Sequence, residues 1–437
     1  MDIPEKFSSF GANKRQEITR LVFEIAKRER LMPVEVLDRI PADCRAFAAV
    51  KAYLVARRFP EAVRRQEKVS GSFSAVEIDP ASAMPLDRGE NVPAPGMIYA
   101  EASVKDSPLV RRAVQKYPRA GLTLIGDYKT YTGREEFDIH AYNRRTRDLF
   151  IIQEQYDHFK PCPCSPGVVP CGYHNANLGF GCPFECTYCF LQSYANAPGI
   201  VIPENLDDFF RVFNDSRDGV RLGSGETTDS LVFDDLTGFS GRIVEHFRAF
   251  PGRVFEFKTK SDNVAGLLDV KAASNIVVGW SLNPQKVIDA NEHFTASLAR
   301  RLAAAARCAA HGYRTAFHFD PVIYFPGWEA VYEGLVKRLF EAVPSESIAW
   351  ISVGTLRMTP SQKKVIENRF PENTILDAEL LMGADGKLRY APAERLEIYR
   401  AMLAWIRRQA AASTHVYLCM ETASMWHDAG ARVNWQA

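Results

Sequence analysis

The stretch GFGCPFECTYCFLQSYANAPG (residues 179–199) brings Cys182, Cys186 and Cys189 close together, with aromatic side chains among them. The cysteines follow a Cys-x3-Cys-x2-Cys spacing, and Tyr188 directly precedes the last one. A structural zinc site closes with four ligands, and no fourth cysteine follows directly in the sequence. A cubane iron–sulfur cluster, [4Fe–4S], that is held by only three cysteines leaves one iron open to a further ligand. The stretch therefore favours a cluster with an open site, with zinc as the alternative.

The composition is that of an ordinary globular protein of one or two domains. The chain has 437 residues, of which 46% are hydrophobic and 24% are charged. Its net charge of +1 gives no overall basic field, so nucleic acid is not favoured as a partner. It contains no apolar run of about 18 residues and no signal-peptide pattern at its N-terminus. We therefore expect no membrane association and a cytoplasmic location.

Downstream of residue 97, short apolar segments typical of strands alternate with amphipathic helices. RVFEFKTK (253–260) and NIVVGWSL (275–282) are two predicted strands, and TASLARRLAAAARCAAHG (295–312) is a predicted helix. Repeated strand–helix units predict a parallel sheet with right-handed crossovers. Polar residues gather at the C-terminal ends of the strands, where barrels of this kind build active sites. These residues are Glu226, Lys260, Ser281, Asn283, Asp320 and Arg357.

The cysteine triplet, with its tyrosine and its place after an early strand, resembles the signature of the radical SAM superfamily. Within that superfamily, CTYCFLQSYANAPGIVIPENLDD (186–208) resembles the spore photoproduct lyase group, and further matching segments run in order over roughly residues 97–375. The resemblance implies an α/β fold with a partial (β/α)6 TIM-like barrel of the radical SAM type. An N-terminal helical segment would be added to this barrel.

The same resemblance implies a reaction. Cys182, Cys186 and Cys189 would hold a [4Fe–4S] cluster whose open iron binds S-adenosylmethionine (SAM). Reductive cleavage of SAM would give a 5′-deoxyadenosyl radical, which abstracts hydrogen from a substrate that the sequence does not name. The cofactors carry this chemistry, and the protein supplies orientation and exclusion of water. An external electron donor such as flavodoxin or ferredoxin would act as a partner.

The resemblance also implies contacts to SAM. Tyr188 would lie near the adenine, Lys260 would pair with the SAM carboxylate, and Glu226 would hold the SAM amino group. Ser281 and Asn283 match an S-x-N pattern at a strand end, where ribose or methionine is contacted. The complete set of cofactor-binding candidates is Tyr188, Glu226, Lys260, Ser281, Asn283 and Arg357.

Two positions depart from the pattern of the group. Spore photoproduct lyases return a hydrogen atom through a cysteine after the second barrel strand, and they use a tyrosine just after the last cluster cysteine. Glu226 and Phe190 occupy these positions here. We therefore expect the chain to keep the radical generator without repairing spore photoproduct.

Cys419, in HVYLCMETASMW (415–426), is a candidate replacement for the hydrogen donor, and a buried structural thiol is its alternative. Glu226 and Cys419 are thus the catalytic candidates. Two other hypotheses stay open. One is a DNA-lesion lyase with a relocated hydrogen donor, and the other is a non-catalytic iron–sulfur or zinc protein that senses redox state or binds a partner.

A second cysteine group lies in HFKPCPCSPGVVPCGYHN (158–175), which has no counterpart in the group's pattern. Its cysteines are Cys162, Cys164 and Cys171, with His158 and His174 beside them. An auxiliary iron–sulfur cluster, a Cys3His zinc site and three unligated thiols are the alternatives. We predict metal ligation for all three cysteines.

The composition predicts four regions. Residues 1–96 form a mostly helical extension, which ends in a linker rich in Pro, Gly and Ser. Residues 97–175 form a strand–helix region with the cysteine-rich insert, and residues 176–375 form the barrel. Residues 376–437 form a C-terminal helix and tail.

Overall fold

The computed structural model describes residues 7, 10–58, 94–132, 145–155, 158–165, 167–194, 198–214 and 221–431. The chain divides into two compact units. The first comprises residues 1–87 and 357–391, and the second comprises residues 88–356 and 392–437. None of the helices in these described ranges has the length and apolarity that crossing a membrane requires.

The strands are numbered in chain order. They are β1 (Met97–Glu101), β2 (Gly121–Ile125), β3 (Asp148–Ile152), β4 (Phe159–Pro161), β5 (Tyr173–Ala176), β6 (Glu185–Cys186), β7 (Ile200–Pro203), β8 (Arg221–Ser224), β9 (Val254–Thr259), β10 (Ile276–Ser281), β11 (Glu292–His293), β12 (Arg314–Val322), β13 (Ile348–Thr355), β14 (Arg357–Met358), β15 (Leu381–Met382), β16 (Leu388–Arg389) and β17 (His415–Leu418).

The α-helices are numbered in the same way. They are α1 (Ala12–Glu29), α2 (Pro33–Asp38), α3 (Phe47–Arg58), α4 (Pro108–Lys116), α5 (Tyr128–Thr132), α6 (Leu191–Tyr194), α7 (Leu206–Asn214), α8 (Asp234–Thr237), α9 (Phe239–Phe247), α10 (Ala265–Leu268), α11 (Gln285–Asn291), α12 (Leu298–Ala310), α13 (Trp328–Ala342), α14 (Pro360–Arg369), α15 (Pro392–Arg407) and α16 (Ala423–Asp428).

The predicted partial barrel is confirmed in the second unit. Its sheet has the strand order β17-β13-β12-β10-β9-β8-β5-β4, and every neighbouring pair is parallel except β4 with β5. The strands β10 and β13 are almost continuously apolar and buried, as expected when helices cover a parallel sheet. The helix predicted over 295–312 is α12, where the Ser297 hydroxyl caps the first turn by accepting from the Arg300 amide.

A smaller parallel sheet in the same unit has the order β2-β1-β3-β7. Phe180 forms an isolated antiparallel bridge with Val201 of β7, so this sheet reaches the segment that carries the cysteine triplet. The smaller sheet therefore anchors one side of that segment.

The cysteine-rich insert joins the two edges of the barrel sheet. We call residues 162–172 the strap; residue 166 lies outside the described residues. The strap leaves β4 and returns to β5 at one edge. In between, Val168 pairs with Thr422, and the Val169 amide donates to the Glu421 carbonyl at 2.9 Å, just beyond the opposite edge strand β17. The strap thus crosses the gap that an open barrel leaves between its first and last strands.

A buried polar network occupies the barrel interior. Arg221 donates to Glu256 at 2.9 Å and to the Tyr417 hydroxyl at 3.2 Å. The other carboxylate oxygen of Glu256 lies 2.7 Å from His318 Nε2, while His318 Nδ1 lies 2.7 Å from the Ser352 hydroxyl. The network links β8, β9, β12, β13 and β17, so it ties together strands from across the barrel.

The first unit contains the predicted N-terminal helices. Its core joins α1, α2 and α3 through side chains such as Ile18, Val36 and Val50. The unit also includes α14, because Lys363 pairs with Glu17 of α1 at 3.0 Å. The barrel region predicted to end at residue 375 therefore divides between the units at residues 356 and 357.

Replacing Glu256 by Gln should lower the free energy of unfolding by about 3–5 kcal/mol at neutral pH, because it removes the buried partner of Arg221. The matched control is Glu333→Gln, which breaks an exposed pair with Arg408 and should change stability by less than about 0.5 kcal/mol. Urea unfolding of both variants measures the difference. Equal effects would contradict a structural role for the network.

Acid should weaken the same network. Burial would raise the pKa of Glu256, but the charges of Arg221 and His318 outweigh it and hold that pKa well below its ordinary 4.5. Burial lowers the pKa of His318 below its ordinary 6.5. Both groups thus bind protons more readily in the unfolded chain, so stability is lost as the pH falls below about 6.5 and further below about 4.5. Glu256→Gln should flatten the second part of this decline.

Candidate active site

The segment that carries the cysteine triplet, residues 177–190, is called the cluster loop. It follows β5, and Gly181 within it has φ of +78°, a left-handed conformation that favours glycine. The Thr227 hydroxyl donates to the Gly179 carbonyl at 2.6 Å. Together with the bridge from Phe180 to Val201, this bond fixes the entry to the loop.

The cluster loop brings the three cysteines of the triplet together. Cys186 is buried in β6, and Cys182 and Cys189 are partly exposed. Burial raises the pKa of all three thiols, that of Cys182 to about 12, and the thiols also act on one another electrostatically. The charge of Lys260 lowers the pKa of the Cys186 and Cys189 thiols against this rise, so its ammonium group lies near both.

Arg145 holds the first half of the loop in place. It is completely buried, and its guanidinium donates to the carbonyls of Cys182 at 2.9 Å and Phe184 at 3.0 Å. A third contact is an ion pair with Glu185 at 2.5 Å. No sequence motif surrounds Arg145, and its partners lie about 40 residues downstream, so its role could not be predicted from the sequence.

Gln192 holds the second half. Its buried side-chain amide donates to the carbonyls of Cys186 at 2.6 Å and Thr187 at 2.9 Å. Gln192 belongs to the aromatic-Leu-Gln run that carried the resemblance to the spore photoproduct lyase group, and the structure gives this residue a physical role. The loop is therefore fixed by side chains on both sides of its central cysteine.

Glu292 contacts two of the predicted cofactor-binding residues, Tyr188 and Asn283. Its carboxylate accepts from the Tyr188 hydroxyl and from the Asn283 amide, the latter at 2.9 Å, and it pairs with Arg301 at 2.6 Å. Burial would raise the pKa of Glu292, but Arg301 and Lys260 lower it to about 2. The carboxylate is therefore ionised at neutral pH, and it orients Tyr188 and Asn283.

Lys260 completes this group. Its ammonium lies 5.7 Å from the centroid of the Tyr188 ring. Burial would lower its pKa, but the Cys186 thiol and the Glu292 carboxylate outweigh burial and raise it. The structure thus brings Tyr188, Lys260 and Asn283 together, and adds Glu292 of β11 and Arg301 of α12, which no sequence motif singled out.

Two other predicted SAM-binding residues are Ser281 and Arg357. Ser281 ends β10, and its backbone carbonyl accepts from Arg301 at 2.9 Å. Arg357 lies in β14, opposite Arg389 of β16, and both strands belong to the first unit. A role for either side chain in binding SAM stays a prediction.

Glu226 follows β8 and lies beside the strap. Burial raises the pKa of its carboxyl group, while the nearby ammonium of Lys258 lowers it. Glu226 and Lys258 both act electrostatically on the Cys162 thiol. The Sγ atoms of Cys162 and Cys164 are 3.8 Å apart. Glu226 is therefore placed next to the second cysteine group.

Cys171 and Cys419 approach the barrel interior from the strap and from the end of β17. Both act electrostatically on the buried hydroxyl of Tyr417, and Cys171 also acts on Arg221. The Cys419 amide donates to the Val353 carbonyl at 2.8 Å, which extends the pairing of β17 with β13. Catalysis by Cys419 and metal ligation by Cys171 stay predictions.

The donor set of the cluster loop fits a three-cysteine [4Fe–4S] cluster. A cubane presents its thiolates to different iron atoms, so the ligands need not converge on one point. Within the described ranges, no three or more His, Cys, Asp and Glu side chains converge closely enough to hold a single metal ion. The charges of buried Arg145 and half-buried Lys260 suit an anionic cluster, because charges removed from water need partners of opposite sign.

Comparisons with known proteins agree with this geometry. The model of a family described as spore photoproduct lyase matches residues 94–408. A spore photoproduct lyase from a Geobacillus strain is 27% identical over 338 residues, which cover 72% of this chain and 95% of the relative. The enzyme of the same name from Bacillus subtilis is 25% identical over 300 residues, which cover 65% and 85%.

A solved structure shares the fold. Spore photoproduct lyase complexed with dinucleoside spore photoproduct matches with a TM-score of 0.63 and 24% identity, over 75% of this chain and 99% of that one. Because the family model spans most of the sequence, the chain belongs to the spore photoproduct lyase family, a family of radical SAM lyases.

Proposed function

We propose that this protein uses a [4Fe–4S] cluster and SAM to start the radical cleavage of a spore photoproduct-type lesion in DNA. The observation that carries the proposal is the cluster loop, whose three cysteines lie beside Lys260 and the group ordered by Glu292. When bound, the cluster and SAM supply the electron and the carbon-centred radical.

The chain's own residues bind and orient. Cys182, Cys186 and Cys189 would hold the cluster. Lys260 would fix the carboxylate of SAM as a half-buried cation. Tyr188, kept in place by Glu292, would present its ring to the adenine. An external electron donor of the flavodoxin or ferredoxin class belongs to the same proposal.

The substrate class is revised with respect to the sequence analysis. The net charge of +1 spoke against nucleic acid, but net charge says little about a local surface. Relatives named spore photoproduct lyase, one of them matched over 95% of its length, and a solved structure with dinucleoside spore photoproduct support a nucleic acid substrate. A further solved spore photoproduct lyase variant has both AdoMet and dinucleoside spore photoproduct bound, which supports the same cofactor.

A second candidate function is a radical reaction on another substrate. It is favoured by Glu226 and Phe190, which stand where the group's pattern has a cysteine and a tyrosine. Phe190 is 39% exposed and has no hydroxyl group that could pass on a hydrogen atom. Loss of photoproduct in the presence of SAM and reductant separates the two functions.

Cys186→Ala should remove the cluster, because one of its three ligands is lost. We expect the variant to lose about four irons per chain relative to the wild type and to form no 5′-deoxyadenosine. The control is Cys44→Ala in the first unit, which should leave iron content unchanged. Iron analysis and chromatography after anaerobic reconstitution and reduction provide the measurement. An iron-replete Cys186→Ala variant would refute this ligand assignment.

Lys260→Met should weaken SAM binding about tenfold or more, because it removes a half-buried cation from the SAM carboxylate. Equilibrium dialysis with the cluster-loaded protein measures the dissociation constant. Lys286→Met is the matched control, since Lys286 is exposed on α11. Equal affinities in the wild type and the Lys260 variant would exclude the proposed pairing with the carboxylate.

The cluster-loaded protein should convert dinucleoside spore photoproduct to thymine nucleosides in the presence of SAM and reductant. With photoproduct in duplex DNA, binding should weaken steeply as salt rises, because phosphate contacts release counterions. Chromatography of the products and a salt series provide the measurements. Formation of 5′-deoxyadenosine with no loss of photoproduct would point to the second candidate function.

A further inference from the structure

Cys162 and Cys164 of the strap form a pair. Their Sγ atoms are 3.8 Å apart, and only Pro163 separates them in the sequence. The Cys162 amide donates to the Tyr173 carbonyl at 2.9 Å, and the Cys164 amide donates to the Cys162 carbonyl at 2.7 Å. The contact between the sulfurs is therefore supported by backbone bonds to β5 and within the turn itself.

Barrel residues surround this pair. Lys258 of β9 and Glu226 both act on the Cys162 thiol, and the Lys258 ammonium lies 3.5 Å from the centroid of the Tyr173 ring. The hydrogen bond with Cys164, burial and the Glu226 carboxylate raise the pKa of the Cys162 thiol, and Lys258 opposes them only in part, so the pair is a protonated dithiol at neutral pH. Both cysteines are partly exposed, so small reagents can reach them.

The third cysteine of the strap has a different environment. Cys171 interacts electrostatically with Arg221 and Tyr417. Cys162 interacts instead with Cys164, Lys258 and Glu226. The direct sulfur contact joins Cys162 and Cys164. This contact makes Cys162 and Cys164 a pair of thiols.

We propose that Cys162 and Cys164 form a redox-active dithiol that exchanges with small-molecule disulfides and thiols. The Cys162 thiolate attacks an external disulfide, so that a mixed disulfide forms and one external thiolate leaves. The Cys164 thiolate then attacks the Cys162 sulfur, which forms the bond between the two cysteines and expels the second external thiolate. The pair loses two electrons and two protons, and the external disulfide gains the electrons. Two external thiols reverse the reaction.

The two states differ in what they present to the barrel. The reduced pair places two S–H groups near Glu226, and the oxidised pair places none. The dithiol is independent of the substrate proposed above, because it rests on the strap alone.

The test uses the full chain with its cluster reconstituted, so that the cluster cysteines are shielded by iron. The protein is equilibrated anaerobically in mixtures of reduced and oxidised glutathione, quenched with acid and alkylated, and its intact mass is measured. In the wild type, two alkylation sites should disappear together, with a midpoint that follows the square of the glutathione concentration over that of its disulfide.

Three variants make the test specific. Cys164→Ser and Cys162→Ser should each abolish the paired loss and leave at most one bound glutathione. Cys171→Ser, the matched control on the same strap, should keep the paired loss unchanged. Thermal melts of all three variants show whether each is folded.

Several results would overturn the proposal. One is a folded Cys171→Ser variant that loses the transition, since three thiols would then act as one site. Another is iron or zinc that shields all three strap cysteines until a chelator removes it. A third is complete alkylation of both cysteines at every glutathione ratio.

Discussion

Cys186 and Glu292 lie opposite each other in the short antiparallel pairing of β6 with β11, and the rest of the site depends on this contact. The pairing attaches the cluster loop to the segment that follows β10. The same Glu292 then uses its carboxylate to order Tyr188, Asn283 and Arg301. One residue thus fixes the backbone beside a cluster ligand and the side chains beside the expected SAM position. Loss of this contact would disturb both halves of the site together.

Electrostatics explains why so many charges are buried around this contact. Three cations lie near the cluster loop: Arg145, Lys260 and Arg301. Arg145 pairs with Glu185, and Arg301 pairs with Glu292. Buried ion pairs are costly to form and contribute little to stability when they are isolated. Here they act together to hold a loop that has little regular secondary structure of its own. An anionic cluster would add to the negative charge that Lys260 receives from Glu292 and Asp229.

The sequence predicted the barrel and the triplet because both have local signals. Cysteine spacing, apolar strands and an Ala-rich helix are each readable within a few residues, and colinear matching segments gave the family. Arg145 and Glu292 escaped prediction, because Arg145 holds Cys182, 37 residues away, and Glu292 orders Tyr188, 104 residues away. Arg357 shows the opposite case: its place near a strand end suggested the barrel rim, yet residues 357–391 belong to the first unit. Polarity at a strand end is thus a weaker guide than the spacing of the cysteines.

The strap has a consequence for how the molecule behaves among its own copies. An open barrel has two edge strands, and their unpaired backbone groups offer a template on which another chain can add a strand. Here β4 covers β5 at one edge, and Val168 and Val169 occupy backbone groups just past the end of β17 at the other. A chain without residues 162–172 would lose the pairing at Val168 and Val169, while β4 would still cover β5. The insert therefore occupies backbone groups beside one open edge of the sheet, next to where another chain could add a strand.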